Sequence, residues 1–327
     1  MQKENYLPII IESLVFGKNS DYPLYIKTGD RYVLYRSKAL IFSNNDVLRL
    51  KNNGVCNLYI KQEDKRTYDA DMIEHMKNIT SADNKSFEDK AVSIYNYSKI
   101  YAQYIMTTGN IKDVKEQLKQ VIETMVEYIL MSELALVNII HMSQHDAGEV
   151  GHGMNVSIYA MTLAGRLGFS NKVSLYEIGL AGLVHDIGKI KISQQLLQKQ
   201  NLTEEELNEI KKHPIYSKEI LIENEVDNDN IINAVIEHHE ASNGTGYPYG
   251  KMEENISAFG KILIVVNMFD SLTRELPYKI KLEKKDALNN MMLHRELYNN
   301  AFLKEFVLLM KESGEKSKLI TDINFIS

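Results

Sequence analysis

His238-His239-Glu240-Ala241-Ser242-Asn243-Gly244-Thr245-Gly246-Tyr247-Pro248-Tyr249-Gly250 is the stretch that decides how this chain folds. Two adjacent histidines stand directly before a tight glycine turn. Gly244, Gly246 and Gly250 permit backbone conformations closed to other residues, and Pro248 pushes Tyr247 towards an extended conformation. Such a turn can be purely structural, or it can present the Tyr247 ring or hydroxyl to a ligand. Upstream lie two further signals, His185-Asp186-Ile187-Gly188-Lys189 and His213-Pro214.

Of the nine histidines, five recur in motif-like settings: His152, His185, His213, His238 and His239. Neutral imidazole is a common ligand for Zn, Mn and Fe, and carboxylates bridge metals. His185 and Asp186 interrupt an otherwise apolar run from Ile178 to Ile190, where a charged aspartate is costly unless paired or bound to metal. A histidine–aspartate pair capping a helix would explain that dipeptide alone. The full set of five histidines points to a metal centre.

The rest of the chain bounds the answer. Its 327 residues leave room for about two domains. Apolar content of 44% and charged content of 25% are those of a globular protein. A formal net charge of -6 argues against a nucleic-acid polymer as partner but allows a small phosphorylated ligand. Cys56 is the single cysteine, which fits a reducing compartment. Residues Met1 to Phe16 lack the pattern of a signal peptide, and apolar runs such as Ile262 to Val266 are too short to span a bilayer. The expected location is cytoplasmic, with no membrane partner.

Residues 1 to about 85 read as a small α+β module. Leu24-Tyr25-Ile26, Tyr32-Val33-Leu34-Tyr35 and Leu58-Tyr59-Ile60 are strand-like, and a helix is expected near Asn45 to Lys51. The aromatic residues are expected in core and strand positions. From Ser86 to about 140 the pattern is helical, with an apolar stripe through Val114, Leu118, Val121, Ile122 and Met125 and a break at Gly109-Asn110. This connector either packs on its own chain or forms a homodimer surface. After Asp146 helices resume, with loops near Gly168–Ser170, Ile192–Thr203 and Gly244–Gly250. Thr203 and Glu206 have capping-box spacing.

Residues from about 141 to 280, within a domain expected over 141–327, resemble the HD-GYP family, the phosphodiesterase branch of the HD superfamily that hydrolyses cyclic di-GMP. The segments carrying the resemblance are His152 at a helix start, His185-Asp186-Ile187-Gly188-Lys189, Leu202-Thr203 before acidic residues, His213-Pro214, and His238-His239-Glu240 with Asn243-Gly244-Thr245-Gly246-Tyr247-Pro248. The resemblance implies a mainly α protein: a helical-bundle domain holding two or three divalent ions, iron or manganese. Asp186 would bridge two metals, His152 and His185 would serve one, and His213, His238 and His239 its neighbour. Glu149 would reach a third metal or stay solvated; relatives with a third metal carry glutamate where this chain has Gly148. A metal-bridging hydroxide would open cyclic di-GMP to linear pGpG or GMP. Lys189 would neutralise a phosphate oxygen or be an ordinary surface lysine. Gly246, Tyr247, Pro248 and Lys279 would contact substrate. Glu240 would orient a histidine or face solvent.

Five departures qualify that implication. Asn267 stands at a position where the family has an aspartate ligand, which makes it a weak ligand, while Asp270 is kept. Leu276 replaces an arginine, with Lys279 retained and Arg274 two residues earlier. Ala241 replaces a basic residue, and Asn243 stands where aspartate is usual. Ser217 stands where glycine usually follows His-Pro. The leading expectation is an active cyclic di-GMP phosphodiesterase whose residues 1–85 sense a signal or bind a partner. The alternatives are a weak or inactive receptor for the dinucleotide or a protein, and a hydrolase of another nucleotide.

Overall fold

The computed structural model describes residues 6–11, 14, 20–38, 40–55, 57–132, 135, 137–140, 148–274 and 281–324. Cys56, Leu276 and Lys279 lie outside them. The chain divides into two compact units, residues 1–100 and 101–327.

In the first unit, β1 (Tyr6–Ile10), β2 (Leu24–Thr28), β3 (Arg31–Arg36) and β4 (Asn57–Lys61) form an antiparallel sheet of order β1-β4-β2-β3. Gly29, with φ of 59°, makes the tight turn between β2 and β3. Helix α1 (Asn44–Asn52) lies between β3 and β4 in the sequence. The tyrosines of the strands pack on one another: the Tyr6 and Tyr32 rings stack at 4.1 Å, and Tyr59 meets Tyr32 edge-on at 5.0 Å. Two elements here were not marked by the sequence. Strand β1 is an edge strand containing Pro8, which cannot donate to a ladder, and its pairing with β4 is long-range. Helix α2 (Lys65–Ser81) buries only Tyr68, Asp69, Met72, Met76 and Thr80, so its stripe is diluted by polar neighbours.

Helices dominate the remainder, and the mainly α class with a small amino-terminal sheet is what is observed. Helix α3 (Phe87–Thr108) stops at Gly109, whose φ of 68° suits a helix end. Asn224 holds the following turn: its Oδ1 accepts from the Ile111 and Lys112 amides, and its Nδ2 donates to the Gly109 carbonyl. Helix α4 (Lys115–Met131) buries Leu118, Val121, Ile122 and Met125 within its own unit, packing on α5 (Glu149–Arg166) and α6 (Lys172–Val184). No helix among the described residues is long and apolar enough to cross a membrane.

The pairing of α5 with α6 sets the frame of the site. A Cβ at Gly182 would lie 2.7 Å from the Ser157 Cα, so only glycine allows the two backbones to come this close. The Ser157 hydroxyl donates to the Gly179 carbonyl at 2.7 Å across the same contact. A short helix α7 (Gln194–Leu197) lies in the segment expected to be loop. Thr203 and Glu206 form the expected capping box at the start of α8 (Glu204–Ile210). Helices α9 (His213–Glu223), α10 (Asp229–Glu237) and α11 (Ala258–Thr273) follow, with α11 packed on both α5 and α10. Helices α12 (Lys284–Leu293) and α13 (Asn300–Asn324) complete the chain order.

Candidate metal centre

Three of the five histidines sit at helix ends and use the same local device. His185, just past α6, donates from Nδ1 to the Gly182 carbonyl at 2.7 Å. His213, at the start of α9, donates to the last carbonyl of α8, Ile210, at 2.8 Å. His238, just past α10, donates to the Val235 carbonyl. A carbonyl oxygen can only accept, so each Nδ1 carries the proton and each Nε2 keeps a lone pair. His152 inside α5 uses a carboxylate instead: its Nδ1 lies 2.6 Å from Asp270 Oδ2, and Asp270 Oδ1 accepts from Asn155 at 2.8 Å.

The Nε2 atoms converge on Asp186. Those of His152 and His185 are 3.2 Å apart and lie 3.4 and 3.3 Å from Asp186 Oδ2. Those of His213 and His238 are 3.1 Å apart and lie 3.1 and 3.7 Å from Oδ1. Asp186 is 3% exposed, and its Oδ1 has no hydrogen-bond partner among the described residues. Facing lone pairs around a bare carboxylate oxygen are costly unless a cation sits among them. The residues therefore fit divalent metal. Two groups could hold it, His152 with His185 and Asp186, and His213 with His238, His239 and Asp186; within each, the ligand atoms lie within 4.8 Å of one another. Asp186 belongs to both.

Burial lowers the pKa of His185 and His239 and pushes His238 down to about 3, so these rings stay neutral. For His152 burial acts the same way but is outweighed by Asp186 and Asp270, and the net shift is upward. Burial opposes ionisation of Asp186, yet the Lys189 ammonium holds its carboxyl well below the usual range.

The model of the HD domain family matches residues 130–301 of this chain. The chain belongs to the HD domain family. It is 31% identical over 110 residues to a cyclic di-GMP phosphodiesterase of Pseudomonas aeruginosa, an overlap covering 33% of this chain and 27% of that protein. It is 32% identical over 123 residues to the 3'3'-cGAMP-specific phosphodiesterase 3 of Vibrio cholerae, covering 37% and 26%. The matched stretch thus spans about a quarter of the length of these curated relatives. In fold it is similar to an HDG"Y"P protein from Bdellovibrio bacteriovorus, with a TM-score of 0.74 at 22% identity, over 94% of this chain and 100% of that one.

The glycine turn of this HD domain is held by Glu240. Its buried carboxylate accepts from the Tyr249 amide at 2.8 Å and the Lys251 amide at 2.9 Å. It therefore neither orients a histidine nor faces solvent, the two roles expected from sequence. A Cβ at Gly246 would lie 2.3 Å from the Ala241 nitrogen, so the loop folds back on the histidine segment. The Tyr247 amide donates to the His239 carbonyl at 3.0 Å, and the two rings stack at 4.6 Å. Glu240→Ala is expected to lower turnover by about 10–100-fold, the usual effect of losing such outer support. Metal content should hold; kinetics with elemental analysis would check both, and unchanged kinetics would refute the role.

The other expected site residues are placed as follows. Lys189 donates from Nζ to Asp186 Oδ2 at 2.7 Å and to Glu149 Oε2 at 3.0 Å. Arg274 donates from Nη1 to Glu149 Oε1 at 3.2 Å. Desolvation raises the Glu149 pKa, but Lys189 is among the cations that bring it below the usual range. Asn267 is buried in α11, one turn before Asp270. Ser217 has a role that its residue type did not announce: its hydroxyl accepts from the Gly188 amide at 2.8 Å and donates to the His185 carbonyl at 2.7 Å. Sequence reasoning also missed the Asp270–His152 bond; the helical spacing of Asp270 from Asn267 was the available signal.

Proposed function

We propose that this HD-domain protein is a metal-dependent phosphodiesterase of the HD-GYP type that hydrolyses cyclic di-GMP to linear pGpG or GMP. The observation that carries the reading is the convergence of four Nε2 atoms on the Asp186 carboxylate, those of His152 and His185 on Oδ2 and those of His213 and His238 on Oδ1. Iron or manganese at these two ligand groups would supply Lewis acidity, making water acidic near neutral pH and offsetting charge on a phosphodiester. The chain's own residues do the rest. Asp186 ties the two ligand groups together. Lys189, kept charged by Asp186 and Glu149 against the pull of burial, stands ready to meet a phosphate oxygen. Gly246, Tyr247 and Pro248 form a wall against a guanine, with Lys279 as a further contact. Residues 1–85 would carry a signal or partner site, in a cytoplasmic protein; a homodimer through residues 86–140 would have to use faces other than the apolar stripe that α4 buries in its own unit.

The test is anaerobic purification, loading with ferrous or manganous ion, and identification of the product from cyclic di-GMP. Failure to cleave under every metal would sink the reading. The similarity to a 3'3'-cGAMP-specific enzyme makes 3'3'-cGAMP the competitor to include.

A second reading, a receptor that binds without turnover, rests on Asn267, a buried amide in place of a charged ligand. Asn267→Asp is expected to tighten metal binding by about tenfold or more, at least the worth of an outer-shell partner. Activity gained only in that variant would favour the receptor; robust wild-type turnover would exclude it.

A further inference from the structure

Glu149 and Arg274 extend from Lys189 a chain of charges, and the proposed hydrolysis gives these two residues no role. The Glu149 carboxylate lies across two cations, with Oε2 on Lys189 Nζ at 3.0 Å and Oε1 on Arg274 Nη1 at 3.2 Å. The anion is the outermost member: its side chain is 48% exposed, against 20% for Lys189 and 8% for Arg274. The Arg274 Nε is buried and has no hydrogen-bond partner among the described residues. A guanidinium is a planar fork suited to two parallel bonds with a phosphate or carboxylate, and a buried donor left idle calls for a partner.

We propose that Lys189 and Arg274 form an anion subsite for the substrate phosphate that is not under attack, and that Glu149 occupies it until substrate arrives. This rests on the reading of the site as one for a cyclic dinucleotide, which carries two phosphodiesters on one ring. With one phosphate at Asp186, the second needs a cation nearby, and Lys189 already touches Asp186 at 2.7 Å. A carboxylate so exposed gains little from its ion pairs, so a phosphate meeting both cations displaces it. Arg274, held at the carboxyl end of α11, gives the subsite its fork.

The test is calorimetry on metal-loaded protein with cyclic di-GMP and, separately, inorganic phosphate, with metal content measured for each variant. Arg274→Ala is expected to weaken cyclic di-GMP binding about tenfold or more and to raise KM rather than lower kcat. Arg274→Lys should recover part of the loss. Glu149→Gln is expected to tighten binding about threefold, because the competing charge is gone. Metal content should be unchanged throughout. Undiminished binding by Arg274→Ala overturns the subsite. So does Glu149→Gln that weakens binding or loses metal, which would make Glu149 a metal ligand, and so does a wild type that binds neither probe. Binding that falls in Arg274→Ala while no metal supports turnover would uphold the subsite and refute the hydrolase.

Discussion

Asp186→Ala is expected to strip the protein of both metal and turnover. This carboxylate is the sole member common to the two ligand groups, and its two oxygens face different histidine pairs. Removing it leaves neutral imidazoles alone to hold two dications, with Lys189 now pointing an unbalanced ammonium at the centre. Turnover should fall roughly a thousandfold or more, the equivalent of several kcal/mol of lost charge stabilisation. Asp186→Asn should fail nearly as badly, since it keeps the shape but not the charge. Elemental analysis and cyclic di-GMP turnover on the same preparation would check both. Full metal content in Asp186→Ala would show that the histidines alone hold the ions.

Gly188→Ala is expected to be the most damaging change of a single methyl group. A Cβ there would lie 2.1 Å from the His213 carbonyl oxygen and 2.4 Å from the Ser217 nitrogen. Ordinary contact needs about 3.5 Å, so the His185–Asp186 turn and α9 must part by roughly an ångström or more. These segments carry ligands from both groups, and a metal site tolerates only about 0.5 Å of error. Overpacking of this kind costs about 1–3 kcal/mol or more, which lowers Tm by roughly 2–4 °C per kcal/mol in a unit of this size. Thermal melts and metal analysis would show it. Ser217→Ala is the control: it removes the bridge between Gly188 and His185 without adding bulk, and should do less harm. A Gly188→Ala protein with wild-type Tm and full metal would contradict the packing argument.

Both predictions use residues of which the sequence told different amounts. Asp186 stood out because a charge inside an apolar run has to be accounted for, and the helix start at Thr203 was visible because both capping partners are local. The fold class was legible for the same reason: helical periodicity and strand alternation are short-range signals. Glu240 was not legible. Its partners are main-chain amides of the loop that follows, and no side-chain pattern announces them. Ser217 likewise works through backbone atoms 29 and 32 positions away. Strand β1 depends on pairing with a strand some fifty residues later, and α2 shows too few apolar positions to declare its face. Long-range contacts to backbone are where reading residue types stops being informative.

The imidazoles of His185, His213 and His238 each close a helix end with one nitrogen and face the centre with the other. An alanine scan would therefore confound two losses, because each substitution removes a metal ligand and also frees a buried carbonyl. Asparagine and glutamine separate them. The Asn amide can reproduce the donor at Nδ1 while offering nothing at Nε2, and Gln reaches further towards the Nε2 position while abandoning the carbonyl. At His185, a protein that melts normally as Asn but poorly as Gln would identify the helix end as the larger contribution to folding. The reverse order would assign it to the centre.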